Sequence, residues 1–226
     1  MTVILQGIVG STAYGLAREG SDVDRLGVFV APTLDVAGLD WHDSKATRVT
    51  SKPDSTVHEV GKFLRLALAC NPTILEVLWL PDRLYECWDA DGDALVDLRE
   101  AFFWERGIRN AYGGYARQQA TKLAARGDGT FSSDTRNRSV KHARHLLRLL
   151  RQGRGILETG SLTVEVENPE DYWAFDAMTP EQMIAVYARE DDLFHGARSV
   201  LPSEPDRTSV REVLRGIRRT HVEEDA

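Results

Sequence analysis

The segment from Leu5 to Val30 constrains the fold more than any other part of the sequence. Two apolar runs of strand length frame it, one ending at Val9 and one from Leu26 to Val30. Gly10-Ser11 interrupts the first run, and the residues that follow, Ala13 to Ala17, predict a short helix. The order strand, turn, helix, strand therefore predicts a sheet with a tight turn at the end of its first strand.

Gly10 and Ser11 give this turn a composition that suits an anion. Glycine allows the backbone to approach a phosphate closely. Ser11 is expected to cap the following helix, so that its hydroxyl and the free N–H groups of the first helical turn face the anion. The pair therefore predicts a site for the phosphates of a nucleotide.

Asp22 and Asp24 precede the second apolar run, with Val23 between them. In an extended chain, residues two apart share a face, so both carboxylates are expected on one side of the strand. Two carboxylates about 4 Å apart repel by roughly 4 kcal/mol at an effective dielectric constant of about 20, so the pair requires a cation. Oxygen ligands suit Mg²⁺ or Mn²⁺.

Together these motifs resemble the signature of the DNA polymerase β nucleotidyltransferase superfamily. The matching residues are Gly10-Ser11, Gly15, Ser21-Asp22-Val23-Asp24 and Gly27-Val28. The block from Glu59 to Trp79 is similar to one branch, the RlaP or RNA repair pathway polymerase-β-like proteins, and the resemblance covers most of the chain. It implies an α+β fold and the transfer of a nucleoside monophosphate from an NTP to a hydroxyl, with release of pyrophosphate.

The resemblance also implies a third metal-binding carboxylate on a neighbouring strand. Asp54 is the candidate that begins a short predicted strand, Thr56 to His58, and we favour it. Glu59 is the alternative, at the point where this strand passes into a helix. Its position is equally explained by the preference of acidic residues for the first turn of a helix.

Three cations are candidates for contacts with the nucleotide. Lys62 lies on the predicted helix from Val60 to Cys70. The resemblance adds Lys141 and Arg144, on a predicted helix from Arg136 to Gln152. It also implies a basic residue at the position of Gly61, so this chain lacks one cation of the pattern.

The charge of the chain is unevenly distributed. The net charge is −7, yet the segment 105–155 carries +9 and the remainder −16. This segregation has two interpretations, a basic surface for a polyanion or a helix with a solvated charged face. With the RNA-repair resemblance, the first favours an RNA 3′ end, such as that of tRNA, as the acceptor. A protein or small-molecule acceptor and a non-catalytic nucleotide-binding module are the alternatives.

The 226 residues predict a small mixed sheet in a nucleotidyltransferase core, residues 1–103, followed by a helical domain, residues 104–226. The sequence lacks an apolar run of about 18 residues, so no membrane span is expected. Cys70 and Cys87 have no metal-binding or disulfide pattern, which is typical of buried thiols in the cytoplasm.

Overall fold

The computed structural model describes residues 2–124 and 133–222. The chain forms two compact units, one made of Met1–Phe102 with Pro205–Ala226 and the other of Phe103–Glu204. None of the helices in the described ranges is both long and apolar enough to cross a membrane.

The first unit contains a five-stranded mixed sheet with the strand order β3-β4-β2-β1-β5. β2 and β4 are parallel, and the other neighbouring strands are antiparallel. The predicted α+β class with a small mixed sheet is therefore confirmed. The strands are β1 (Thr2–Val9), β2 (Asp24–Val30), β3 (Thr47–Ser51), β4 (Asp54–Glu59) and β5 (Tyr85–Trp88).

Five helices of the first unit lie between or beside these strands. Their apolar residues form the core together with β1 and β2, and α3 shows the pattern clearly because Val60, Phe63, Leu64 and Ala67 are all buried. Asn71 caps α4 by accepting a hydrogen bond from the Ile74 N–H. The helices are α1 (Gly10–Ala13), α2 (Thr33–Ala37), α3 (Val60–Leu68), α4 (Pro72–Val77) and α5 (Ala90–Asp97).

The second unit is helical and closely packed. A Cβ atom at Gly153 would lie 2.8 Å from side-chain atoms of Tyr112 and Phe194, so glycine allows three of its helices to approach one another. Thr179 and Gln182 form a reciprocal capping box at the start of the last helix of this unit. The helices are α6 (Glu105–Ala124), α7 (Ser133–Thr159), α8 (Pro169–Trp173) and α9 (Pro180–Gly196).

The last helix, α10 (Arg207–Thr220), belongs to the first unit. The sequence prediction placed it in a helical domain of residues 104–226, and the structure differs because polar contacts hold its C-terminal end to the sheet unit. The Thr33 hydroxyl donates to the Arg218 carbonyl at 2.7 Å, and the His221 ring lies 2.8 Å from the Asp91 carboxylate. These contacts join residues that are far apart in sequence.

Candidate active site

The turn between β1 and α1 is built around Gly10. This residue has a φ of +68°, a conformation that favours glycine. A Cβ atom here would lie only 2.5 Å from the Asp24 Oδ2 atom. The turn and the Asp24 carboxylate are therefore in close contact. The carboxylate lies where a side chain at position 10 would begin.

Asp24 and Asp54 lie side by side at one edge of the sheet. They are the first residues of β2 and β4, and each directly precedes the paired residues Arg25 and Ser55. Neighbouring strands are about 5 Å apart, and residues at matching positions of parallel strands point to the same face. The fold therefore places two of the three predicted carboxylates together.

A tight turn fixes the position of Asp54. Ser51 of β3 pairs with Asp54 of β4, and only Lys52 and Pro53, joined by a cis peptide bond, lie between them. The Thr50 hydroxyl donates to the Pro53 carbonyl at 2.8 Å. Asp54 is exposed at the end of this hairpin, beside the start of β2.

Asp22 precedes β2 and is exposed. Within residues 2–124 and 133–222, no three His, Cys, Asp or Glu side chains form a preassembled metal site. The donor set still fits Mg²⁺, since this ion is commonly held by one or two carboxylates together with substrate phosphates and water. Asp24 and Asp54 would provide those carboxylates, with Asp22 two residues away on the chain.

Glu59, the alternative third ligand, lies at the opposite end of β4 from Asp54. It pairs with Phe29 near the end of β2, and its carboxylate caps α3 by accepting from the Gly61 N–H at 2.8 Å. The carboxylate is buried and lies 2.6 Å from Arg218 Nη2, although this ion pair lacks the alignment of a hydrogen bond. Glu59 is therefore occupied by other partners, and it lies about 16 Å from Asp54 along β4. The geometry favours Asp54 as the third ligand.

Arg218 also occupies the space beside Gly61. A Cβ atom at Gly61 would lie 3.3 Å from Arg218 Nη2. The family resemblance implies a basic residue at position 61. In this chain a guanidinium from α10 lies beside that position, and a contact between residues 157 positions apart has no local sequence signal.

The turn after α1 is held by a residue pair that the sequence analysis missed. The Tyr14 hydroxyl donates to the Glu76 carboxylate at 2.7 Å, and Glu76 is fully buried in α4. Ser11 was predicted to cap this helix, but α1 begins at Gly10 and has no side-chain cap, so Ser11 lies inside the first turn. The helix also ends at Ala13 instead of continuing to Ala17, because Gly15 turns the chain at a φ of +71°.

Lys62 lies beside the edge strand β3, where its ammonium group donates to the Thr47 hydroxyl at 2.6 Å. The same hydroxyl is 2.9 Å from His58 Nδ1. Burial lowers the pKa of His58, and the nearby charge of Lys62 lowers it further. The structure thus places Lys62 in a hydrogen-bonded cluster at the end of β4 away from Asp54.

In the second unit, Lys141 is exposed on α7. Arg144 donates to the Tyr172 carbonyl at 2.9 Å and forms an ion pair with Asp176. Its guanidinium therefore connects α7 to the segment that contains α8. The predicted contact of Arg144 with the nucleotide stays a prediction.

Other arginines of the predicted basic surface also bind partners in their own unit. Arg148 is buried and donates to the Gln152 side chain at 2.6 Å. Arg151 bridges Asp171 and Glu190 at 2.6 and 3.1 Å. These contacts stabilise the helical unit. Arginines with partners inside the unit fit neither of the two interpretations, a surface for a polyanion or a solvated charged face. The side chains of Lys122, Arg126, Arg136 and Arg138 lie outside the described part of the chain.

The sequence comparisons identify the family of the chain. Residues 1–182 match the RNA repair pathway DNA polymerase beta family, RlaP. The chain belongs to this family. The prediction from the motifs is thus confirmed, and the RlaP match extends from the sheet unit into the helical unit.

The RlaP chain is also similar to a protein of Enterobacteria phage T4, described as an uncharacterized 38.9 kDa protein in the nrdC-mobD intergenic region. The two are 29% identical over 137 residues, which cover 56% of this chain and 40% of the phage protein. The similarity thus spans less than half the length of that relative.

We expect Gly10→Ala to destabilise the protein more than Gly20→Ala. Both glycines have a positive φ, so both variants carry a similar backbone penalty, but a Cβ at Gly20 would meet no atom within 4 Å. The contact with Asp24 should add about 1–3 kcal/mol to the loss in Gly10→Ala. Urea denaturation of the two variants measures this difference, and equal losses would contradict the close contact between the turn and Asp24.

His58 should make the stability depend on pH. Because its pKa is lowered in the folded state, the unfolded chain binds more protons below the ordinary value near 6.5. The contribution of His58 to stability is therefore complete above pH 6.5 and decreases as the pH falls below it. Between pH 7 and pH 5, urea denaturation should show a larger loss for the wild type than for His58→Gln. A parallel decline in both proteins would argue against this role.

Proposed function

We propose that this protein is a divalent-metal-dependent nucleotidyltransferase that transfers a nucleoside monophosphate from an NTP to the 3′ hydroxyl of an RNA, such as a tRNA. The observation that carries the proposal is the adjacency of Asp24 and Asp54 beside the Gly10 turn. Membership of the polymerase-β-like RlaP family supports this class of reaction.

In the proposed reaction the acceptor oxygen attacks the α-phosphorus of the NTP. A new bond forms between these atoms, the bond from the α-phosphorus to the bridging oxygen of the β-phosphate breaks, and pyrophosphate leaves. Asp54, at the exposed end of its hairpin, would receive the proton of the acceptor hydroxyl. Asp22 and Asp24 complete the acidic side of the site.

Asp22, Asp24 and Asp54 would hold Mg²⁺ or Mn²⁺, which supplies stabilisation for the charge that develops on the phosphates. Gly10 and Ser11 would bind the β- and γ-phosphates through the backbone N–H groups of the turn, which the helix itself leaves without partners. Lys62, Lys141 and Arg144 would contact the nucleotide, and in the structure Lys62 and Arg144 bind other partners.

RNA is the acceptor that we favour, because the family is described by its RNA repair pathway. A protein side chain, a small-molecule hydroxyl and a non-catalytic nucleotide-binding role are the other outcomes. A single labelling experiment that identifies the acceptor distinguishes these alternatives.

Each labelled NTP should be incubated with Mg²⁺, total RNA and the wild-type protein, beside Asp24→Asn and the control Glu19→Gln. Glu19 is exposed and precedes β2 on the same connection. Loss of a carboxylate at the metal should remove several kcal/mol of transition-state stabilisation, so Asp24→Asn should be slower by a hundredfold or more, on the order expected from such a loss. Glu19→Gln should label RNA at the wild-type rate.

Label on a protein or a small molecule instead of RNA would keep the chemistry and change the acceptor. No label on any acceptor, with NTP binding retained, would replace the enzymatic proposal with a nucleotide-binding module. Equal labelling by the wild type and Asp24→Asn would exclude the proposed site.

A further inference from the structure

Helix α10 carries a row of exposed arginines on the sheet unit. Arg207, Arg211, Arg215 and Arg219 recur at intervals of four residues, and all four are exposed. We call these residues the α10 arginine ridge. At 1.5 Å per residue the ridge is about 18 Å long, and it winds gradually because four residues slightly exceed one helical turn.

The fifth arginine of the helix has a different role. Arg218 is half-buried, forms the ion pair with Glu59 and donates to the Ala31 carbonyl at 3.3 Å. On the buried side of α10, Val210 and Ile217 pack into the core. The helix is thereby held with its ridge directed to solvent.

The ridge concentrates positive charge on the exposed surface of α10. Within residues 2–124 and 133–222, no acidic side chain forms an ion pair with these four arginines, and Glu212 is the one acidic residue of α10. An open groove of about 600 Å³ follows the helix, lined by Thr33, Leu214 and arginines of the ridge. This contrasts with α7, where Arg144, Arg148 and Arg151 are engaged within the helical unit.

We infer that the α10 arginine ridge binds the phosphate backbone of the RNA acceptor, an inference that rests on the proposed function. Arginine donors in a row match a polyanion with regularly spaced phosphates, and such contacts bind without regard to base sequence. The ridge belongs to the same unit as the candidate active site, so its place relative to that site is defined.

The ion pair that holds the C-terminal part of α10 and the candidate active site lie at opposite ends of β4. Arg218 contacts Glu59 at the end of β4, whereas Asp24 and Asp54 begin β2 and β4. The seven residues of β2 span about 20 Å. A twenty-nucleotide RNA is long enough to reach both the site and the ridge, and it offers the ridge more phosphates than a tetranucleotide does.

The test measures binding of the full chain to two fluorescent, unstructured RNAs, of four and twenty nucleotides, by anisotropy between 50 and 300 mM salt. The variant is Arg211→Gln/Arg215→Gln, and the control Arg189→Gln/Arg198→Gln removes the same charge from exposed positions of the helical unit. We expect the variant to raise the Kd for the long RNA about tenfold at 50 mM salt. The slope of log Kd against log salt should fall by about 1.4, since each single-strand phosphate contact contributes about 0.7.

The control should bind the long RNA as the wild type does, and the loss of affinity in the variant should be smaller for the short RNA, which offers fewer phosphates to the ridge. Equal binding of the long RNA by the variant and the wild type would overturn the inference. So would tighter binding of the wild type to polyglutamate or to anionic vesicles than to RNA, because the ridge would then serve another class of partner.

These outcomes are separate from those of the proposed function. Binding to long RNA that depends on the ridge, in a protein that labels no acceptor, would retain the ridge and reject the enzyme. Labelling of long RNA at the wild-type rate by the ridge variant would retain the enzyme and reject the ridge.

Discussion

The backbone hydrogen bonds between β2 and β4 run in parallel register, and this pairing sets the first residues of both strands at one edge of the sheet. Asp24 and Asp54 are 30 residues apart in sequence, and only this register makes them neighbours. The hairpin of β3 and β4 also restrains the position of Asp54, because only two residues join it to its partner Ser51. Two carboxylates that lie close together repel each other, and a divalent ion bound between them would offset this repulsion.

Several residues near this edge and at the far end of the sheet are explained by the carboxylates that they contact. Gly10 is required because Asp24 occupies the place of a side chain, and the Tyr14 hydroxyl ties the following turn to the buried Glu76. At the far end of the sheet, Glu59 receives a backbone N–H and the guanidinium of Arg218. Glu59 and Glu76, the buried carboxylates in the described part of this unit, thus both have polar partners, as the cost of burying an unpaired charge requires.

Much of the first unit could be predicted from sequence because its signals are local. The glycine turn, the Asp-x-Asp pair and the apolar face of α3 each lie within a few residues, and the short strand after Asp54 was recognised. The four-residue strand β5 is too short for a clear alternating pattern. Contacts between distant segments determine the place of α10 and the partners of Arg144, Arg148 and Arg151. An amphipathic basic helix has the same sequence pattern whether its arginines contact solvent or carboxylates. The sequence therefore indicated which residues are charged but not which charges are already balanced.

Binding of Mn²⁺ in the presence of a non-hydrolysable NTP analogue tests the central claim most directly, because it reports on the site without any assumption about the acceptor. Electron paramagnetic resonance of free Mn²⁺ gives the affinity for the wild type, for Asp54→Asn and for Asp97→Asn, which removes an exposed carboxylate of the same unit. The pairing of Asp24 with Asp54 predicts an affinity at least about tenfold weaker in Asp54→Asn, a loss of about 1.4 kcal/mol, and a wild-type affinity in Asp97→Asn. Equal affinities in all three proteins would show that the edge formed by β2 and β4 is not the metal site.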